Sequence, residues 1–200
     1  MNIAEAKNIF LVAKEAQNVT GRTLGTYQEV FKKFLEYLYS QNMYDISVID
    51  ASHIREFIVK LKAGRKGITV HKYFRVLRTF FRFLHQEDYI DSNPMKAIKA
   101  PKKEKKAMRT FTAAEISKLL NAFDRTTYFG MRNYCVMAMF FSTGMRKGEL
   151  RNLTLSDVNV TTDLIRVEGK GQKERYVPLG RTLRRVTLPR FYGHTERVIK

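Results

Sequence analysis

The feature that most restricts the fold is the recurrence of Val70, Phe74, Leu77, Phe81 and Leu84, five apolar side chains at the spacing that puts them on one face of a helix. A face of that breadth asks to be covered by other helices. Candidate partners precede it. Tyr27, Phe31, Phe34, Leu35 and Leu38 recur at the same spacing, with Glu29, Lys32, Lys33 and Glu36 between them. Ile54, Phe57, Ile58 and Leu61 line one face of a run that follows Asp50. That run stops in Ala63-Gly64-Arg65-Lys66-Gly67, where two glycines break the pattern, and the next helix is expected to begin after Thr69. Asn93-Pro94 closes the unit, because a residue before proline is steered away from helical angles. Residues 1–98 therefore read as an all-α bundle.

The helix after Thr69 carries a second stripe. His71, Arg75, Arg78 and Arg82 run beside the apolar face with Lys72 next to them, and no acid interrupts the row. Pairing within the helix cannot account for it. A solvated helix face is the plain alternative for any one of these arginines. It loses ground because the whole chain leans the same way, with 37 Lys and Arg against 19 Asp and Glu and a net charge of +18. Such an excess answers a polyanion, most often nucleic acid, although ribosomal proteins and membrane-surface binders share it. Phosphate contacts along a duplex groove fit the stripe.

Residues 99–109 are lysine-rich, hold Pro101 and have almost nothing apolar, so they read as a tether. A plain disordered tether is one reading; in a chain this basic the sharper one is that Lys102 and Lys103 follow a DNA strand between two domains. Cys135, the single cysteine, sits in an apolar run and reads as a small core residue; it leaves no thiol framework for a disulfide or a metal. The amino terminus mixes Asn2, Glu5 and Lys7 with apolar residues, unlike a secretory leader. The longest apolar run, Cys135 to Ser142, is too short to cross a bilayer. A cytoplasmic, nucleoid-associated protein with no membrane partner is expected.

Residues 110–200 change character. Thr112-Ala113-Ala114-Glu115 is a capping box that opens a helix through Ile116, Leu119 and Leu120. The stretch from Tyr128 to Phe141 is too apolar to be amphipathic and is expected at the centre of its domain. It enters a tight Thr143-Gly144 turn, and a short helix carrying Arg146 and Glu149 leaves it. A guanidinium held by a turn and buttressed by a carboxylate suits a bidentate grip on a phosphate. A surface helix with ordinary charges is the other reading of that stretch taken alone. Downstream, 164–168 and 174–178 alternate around a glycine-flanked turn, which predicts a hairpin with Lys170 at its tip. An exposed hairpin lysine is the plain alternative there.

Taken in order, Thr143-Gly144-Met145-Arg146 with Glu149-Leu150, Leu153, Leu155 and Asp157, followed by Gly169-Lys170-Gly171, Lys173, Arg175 and Val177-Pro178-Leu179, resemble the tyrosine recombinase (phage integrase) family. Thr23, Tyr27, the run from Leu77 to Leu84, Asn93-Pro94 and the tether are similar to that family's core-binding domain. The resemblance implies a mainly α fold in two domains. Residues 1–98 would be an all-α SAM-like core-binding bundle, 99–109 a basic linker, and 110–200 the first part of a mixed α+β catalytic domain, helices plus a β-hairpin. Arg146 would grip the scissile phosphate, Glu149 would support that arginine, and Lys170 would protonate the departing hydroxyl. No metal and no cofactor are implied. Double-stranded DNA is the implied partner, with full-length recombinase subunits beside it on DNA.

The family pattern continues with a His-x-x-Arg helix and a nucleophilic tyrosine. His194-Thr195-Glu196-Arg197 has the spacing but follows Pro189 and Gly193, lies close to the hairpin and has no tyrosine after it; Tyr192 precedes it. The expectation is thus a carboxyl-terminally truncated member that binds duplex DNA without forming a phosphotyrosine link, with 136–141 left partly uncovered. A non-catalytic regulator or decoy occupying recombination sites is the alternative. An RNA-binding protein is a third class, disfavoured because Phe31, Phe34, Phe74 and Phe81 fall on core faces.

Overall fold

The computed structural model describes residues 1–102, 108–169, 171, 173–180 and 183–184. It forms two compact units, Met1–Ala107 and Met108–Lys200. In the first unit come α1 (Ile3–Ala16), α2 (Gly21–Ser40), α3 (Ala51–Lys62) and α4 (Gly67–Gln86). Asp50 caps α3, its carboxylate accepting from the N–H groups of Ser52 and His53.

One aromatic cluster holds these helices together. Phe10 of α1 meets Phe31 of α2 at 5.7 Å and Phe80 and Phe83 of α4 at 5.4 Å each, measured between ring centroids. Phe31 and Phe80 stand edge to face at 4.9 Å, the geometry ring quadrupoles favour. The five apolar residues that open the sequence argument are all fully buried, and Tyr73, Val76, Phe80 and Phe83 widen the same face.

Two features depart from the sequence reading. Helix α1 has no counterpart there; its buried positions are Ile3, Ala6 and Phe10, and the small alanine conceals the period. Helix α4 begins at Gly67 rather than after Thr69, because the N–H groups of Thr69 and Val70 already bond to the Lys66 carbonyl, at 2.9 and 3.2 Å.

The second unit contains α5 (Ala113–Asn121), α6 (Tyr128–Thr143) and α7 (Lys147–Asn152), then an antiparallel sheet of β1 (Val158–Asn159), β2 (Leu164–Glu168) and β3 (Glu174–Pro178) in that order. Thr112 and Glu115 make the capping box of α5. Strands β2 and β3 pair from Leu164 with Pro178 to Glu168 with Glu174. Ile165 and Val167 face a core that also takes Met145, Leu150 and Leu153.

Helix α6 is buried on one part of its surface only, and 136–141 is partly uncovered as expected. Only Tyr134, Cys135, Ala138 and Met139 are buried among its described residues, while Tyr128 is 71% and Phe129 65% exposed. Val136, Met137, Phe140 and Phe141 are half-buried. Its apolar composition exceeds the area that the packed elements, α5 among them, cover. No helix among the described residues is long and apolar enough to cross a membrane.

Candidate nucleic-acid interface

In the first unit, α2 and α4 enclose a groove of ≈ 480 Å³. Arg22, Thr23 and Thr26 line it from α2, and His71, Lys72 and Arg75 from α4. The helical spacing of sequence-predicted His71 and Arg75 brings them onto this wall, whereas Arg78 and Arg82 are exposed farther along α4 and do not line it. The stripe therefore divides: part of it faces a concavity and part faces open solvent.

Lys72 has a partner that its own helix does not supply. Its Nζ donates to both carboxylate oxygens of Glu29 on α2, at 3.0 and 2.8 Å, so a carboxylate from another helix offsets its charge. Nothing within α4 could have revealed that pair. By contrast, Arg75, Arg78 and Arg82 have no carboxylate partner among the described residues. Lys102 is exposed, and its carbonyl lies 3.9 Å from where a Cβ on Gly67 would stand, which places the start of the tether at the amino end of α4. Lys103 lies outside the described residues.

In the second unit the candidate site is a corner. Helix α6 ends on Gly144, whose φ of 62° is a left-handed angle that glycine adopts without the Cβ penalty. The Gly144 N–H donates to the Phe140 carbonyl at 3.0 Å. Met145 then drops into the core at 4% exposure. Arg146, in extended conformation, becomes the residue ahead of α7. Its backbone N–H would be left unpaired at a helix start, and Glu149 takes it at 2.7 Å.

Glu149 is the buried polar residue of this corner, its side chain only 6% exposed. Its Oε1 accepts from Arg146 Nη1 at 2.9 Å and from Arg175 Nη1 at 2.9 Å. Its Oε2 accepts from Arg175 Nη2 at 2.8 Å as well as from the Arg146 backbone. The paired donation from Arg175, then the Arg146 N–H, hold the Glu149 carboxyl well below the usual carboxylate range, against the opposing effect of burial. Arg175 is held more firmly protonated by the same contact.

The structure thus brings Arg146 and Glu149 together. Lys170 lies outside the described residues, as do Tyr192 and His194 to Arg197. Arg175 was assigned no role from sequence, yet strand alternation could have found it. It shares a face with Val177 and stands opposite buried Val167, so it is a charged residue on the core side of a strand.

Arg146 itself is 79% exposed, tethered by one nitrogen, and its other guanidinium N–H groups have no partner among the described residues. What the arrangement can do chemically is hold a planar, doubly donating cation at a fixed angle toward an anion.

Comparison with known proteins gives the same picture along nearly the whole chain. The description "Phage integrase SAM-like domain" matches residues 1–88, and "Phage integrase family" matches residues 109–194. The tyrosine recombinase XerC of Oceanobacillus iheyensis is 32% identical over 167 residues, covering 82% of this chain and 54% of that protein. The tyrosine recombinase XerD of Staphylococcus epidermidis is 33% identical over 182 residues, covering 90% of this chain and 61% of that one. The chain spans little more than half the length of these curated relatives. Among solved structures, a lambda integrase tetramer bound to a Holliday junction superposes with a TM-score of 0.82 at 19% identity, covering 100% of this chain and 59% of that one. The Tn1549 transposon integrase in complex with circular intermediate DNA gives 0.73 at 17%, covering 98% and 66%. At such identities the structural likeness concerns the fold.

Proposed function

We propose, since this chain belongs to the phage integrase family of tyrosine recombinases, that it engages duplex DNA at a recombination site, the helical unit holding the duplex and the second unit gripping one phosphodiester. The observation that carries this reading is the Glu149 corner, which fixes Arg146 at one nitrogen and leaves the rest of its guanidinium turned to solvent. Preorganised donors of this kind stabilise charge that builds on a phosphate during strand exchange. Around the α2–α4 groove, His71 and Arg75 supply phosphate contacts, Lys72 contributes less because Glu29 offsets it, and Arg78 and Arg82 extend the contacts along the backbone. Lys102 and Lys103 track the strand between the units. Lys170, between two glycines after β2, is assigned the general-acid role toward the leaving hydroxyl. A cytoplasmic, nucleoid-associated location belongs to this proposal.

The family passes strands through a tyrosine–phosphate ester, which conserves the bond's free energy until a new hydroxyl attacks. Tyr192 precedes the His194–Arg197 spacing in the sequence, and the proposal for these 200 residues by themselves is binding without covalent capture. Full-length recombinase subunits on the same DNA are its natural partners. The test is a nicked suicide duplex mixed with the chain at matched salt, alongside a structured RNA. Preference for the duplex with no tyrosine-linked product is expected. Preference for the RNA would overturn the DNA assignment, and a covalent adduct would overturn the claim of binding alone.

A further inference from the structure

We infer that Arg175 is a positioning residue of the phosphate site, holding Glu149 so that Arg146 keeps its orientation and the cluster keeps one positive charge. The inference rests on the reading that Arg146 grips a phosphodiester. An ionised carboxylate offers about four lone-pair sites, and in Glu149 four donors occupy them: the Arg146 N–H, Arg146 Nη1, and both terminal nitrogens of Arg175. A carboxylate filled in this way cannot swing to take a second bond from Arg146. The bidentate partner is therefore Arg175, and Arg146 is held by one nitrogen with its remaining donors exposed.

Charge points the same way. Arg146 and Glu149 alone sum to zero at 2.9 Å, and such a neutral pair attracts a phosphate poorly. Arg175 at 2.8 Å restores one positive charge to the cluster without leaving the strand. The site is then one in which the hairpin sets the strength of a guanidinium carried by a helix corner. The register supports it: Arg175 sits opposite buried Val167, on the side of β3 that faces inward, and its side chain, still 40% exposed, meets a partner there. Glu149 is that partner. The backbone at Gly169 brings the other arm of the hairpin to the same carboxylate, 3.6 Å from its Oε1 to the point where a Cβ would lie.

The experiment uses the full chain and a fluorescein-labelled duplex of mixed sequence, with affinity measured across a salt series. Arg146→Ala is expected to weaken binding about tenfold and to lower the slope of log affinity against log salt by about one. Arg175→Gln is expected to do the same, because the two terminal nitrogens of Arg175 are engaged by Glu149 and act through it. The double variant Glu149→Gln with Arg175→Gln returns the cluster to one positive charge, so its slope is expected to recover to the parent's while its affinity recovers only in part, because the Glu149 grip on Arg146 is gone. A purely structural role for Arg175 predicts the opposite, since the second substitution damages the corner further. If Arg175→Gln binds like the parent while Arg146→Ala is weakened, or if the double variant stays as weak as Arg175→Gln, the inference is wrong and the phosphate reading stands. If Arg146→Ala binds like the parent, the phosphate reading itself fails. Thermal unfolding by circular dichroism reports which variants fold. Arg175→Lys, which keeps the charge and loses the fork, is the replacement should Arg175→Gln not fold, and its slope is expected to match the parent.

Discussion

The two units use arginine in opposite ways. In the first, 23 buried apolar residues make one core, and Arg75, Arg78 and Arg82 stand outside it with no carboxylate partner among the described residues. In the second, 11 buried apolar residues make a thinner core among the described residues, and several arginines are tied to an acid: Arg146 and Arg175 to Glu149, Arg166 to Asp157 and Glu174, Arg184 to Asp163. Arg125 and Arg132 lie over the rings of Tyr134 and Phe129. A packed bundle can leave its surface charge as a field, which draws a polyanion from any direction and falls with salt. A thin core with cross-linked charges gives geometry instead. On the proposed function, one unit supplies attraction and the other supplies aim.

The sharpest way to separate the units is to break the larger core. Phe80→Ala removes a fully buried ring that touches Phe10, Phe31 and Phe81. It is expected to cost about 3–5 kcal/mol in the transition of the first unit and to leave the second unit's transition in place, as differential scanning calorimetry would show. A single shifted transition would mean the units are not independent.

Next in size is Glu149→Ala. It removes the acceptor for Arg175 and for the Arg146 N–H, and about 2 kcal/mol is expected to be lost from the second unit alone, read by urea unfolding followed through tyrosine fluorescence. Retained stability there would show that the ion cluster contributes aim without support.

Smaller still, and confined to binding, is the contrast between neighbours on α4. Arg75→Ala is expected to weaken duplex binding about fivefold and Lys72→Ala less than twofold, because Glu29 already offsets Lys72. Equal losses would show that the Glu29 pair opens when DNA arrives.

The smallest effect is in acid. The Glu149 carboxyl lies below its ordinary value of 4.5 in the folded chain, so its contribution is complete above that pH and is lost as pH falls through the folded value. Urea midpoints of the second unit are expected to hold from pH 7 to about 5 and to decline below about 4.5, less steeply in Glu149→Gln. A loss beginning near neutrality would point to another group.

Much of this was legible in the residues. The hairpin strands fall at 164–168 and 174–178 as alternation placed them, the Thr112–Glu115 box caps its helix, and Thr143-Gly144 makes its turn. Those features depend on neighbours in sequence. What escaped depends on neighbours in space. Helix α1 is fixed by the fit of Phe10 against rings of α2 and α4, not by a strong period of its own. The two residues of β1 are a strand because Val158 and Asn159 pair with Ile165 and Leu164. The Glu29–Lys72 pair spans 43 residues and the Glu149–Arg175 pair 26. At α6, apolar composition promised burial that the surrounding elements supply to only part of its surface.

The most direct test of the division between attraction and aim is the salt dependence of duplex binding for two arginine variants of the second unit. Arg166 is spent on Asp157 at 2.8 Å and Glu174 at 3.4 Å, whereas Arg146 is tethered by a single nitrogen and 79% exposed. Arg146→Ala is predicted to lower the slope of log affinity against log salt by about one, and Arg166→Gln to leave it unchanged. Equal slopes for the two variants would contradict the account, since the corner around Glu149 would then add charge to the surface without directing it at a phosphate.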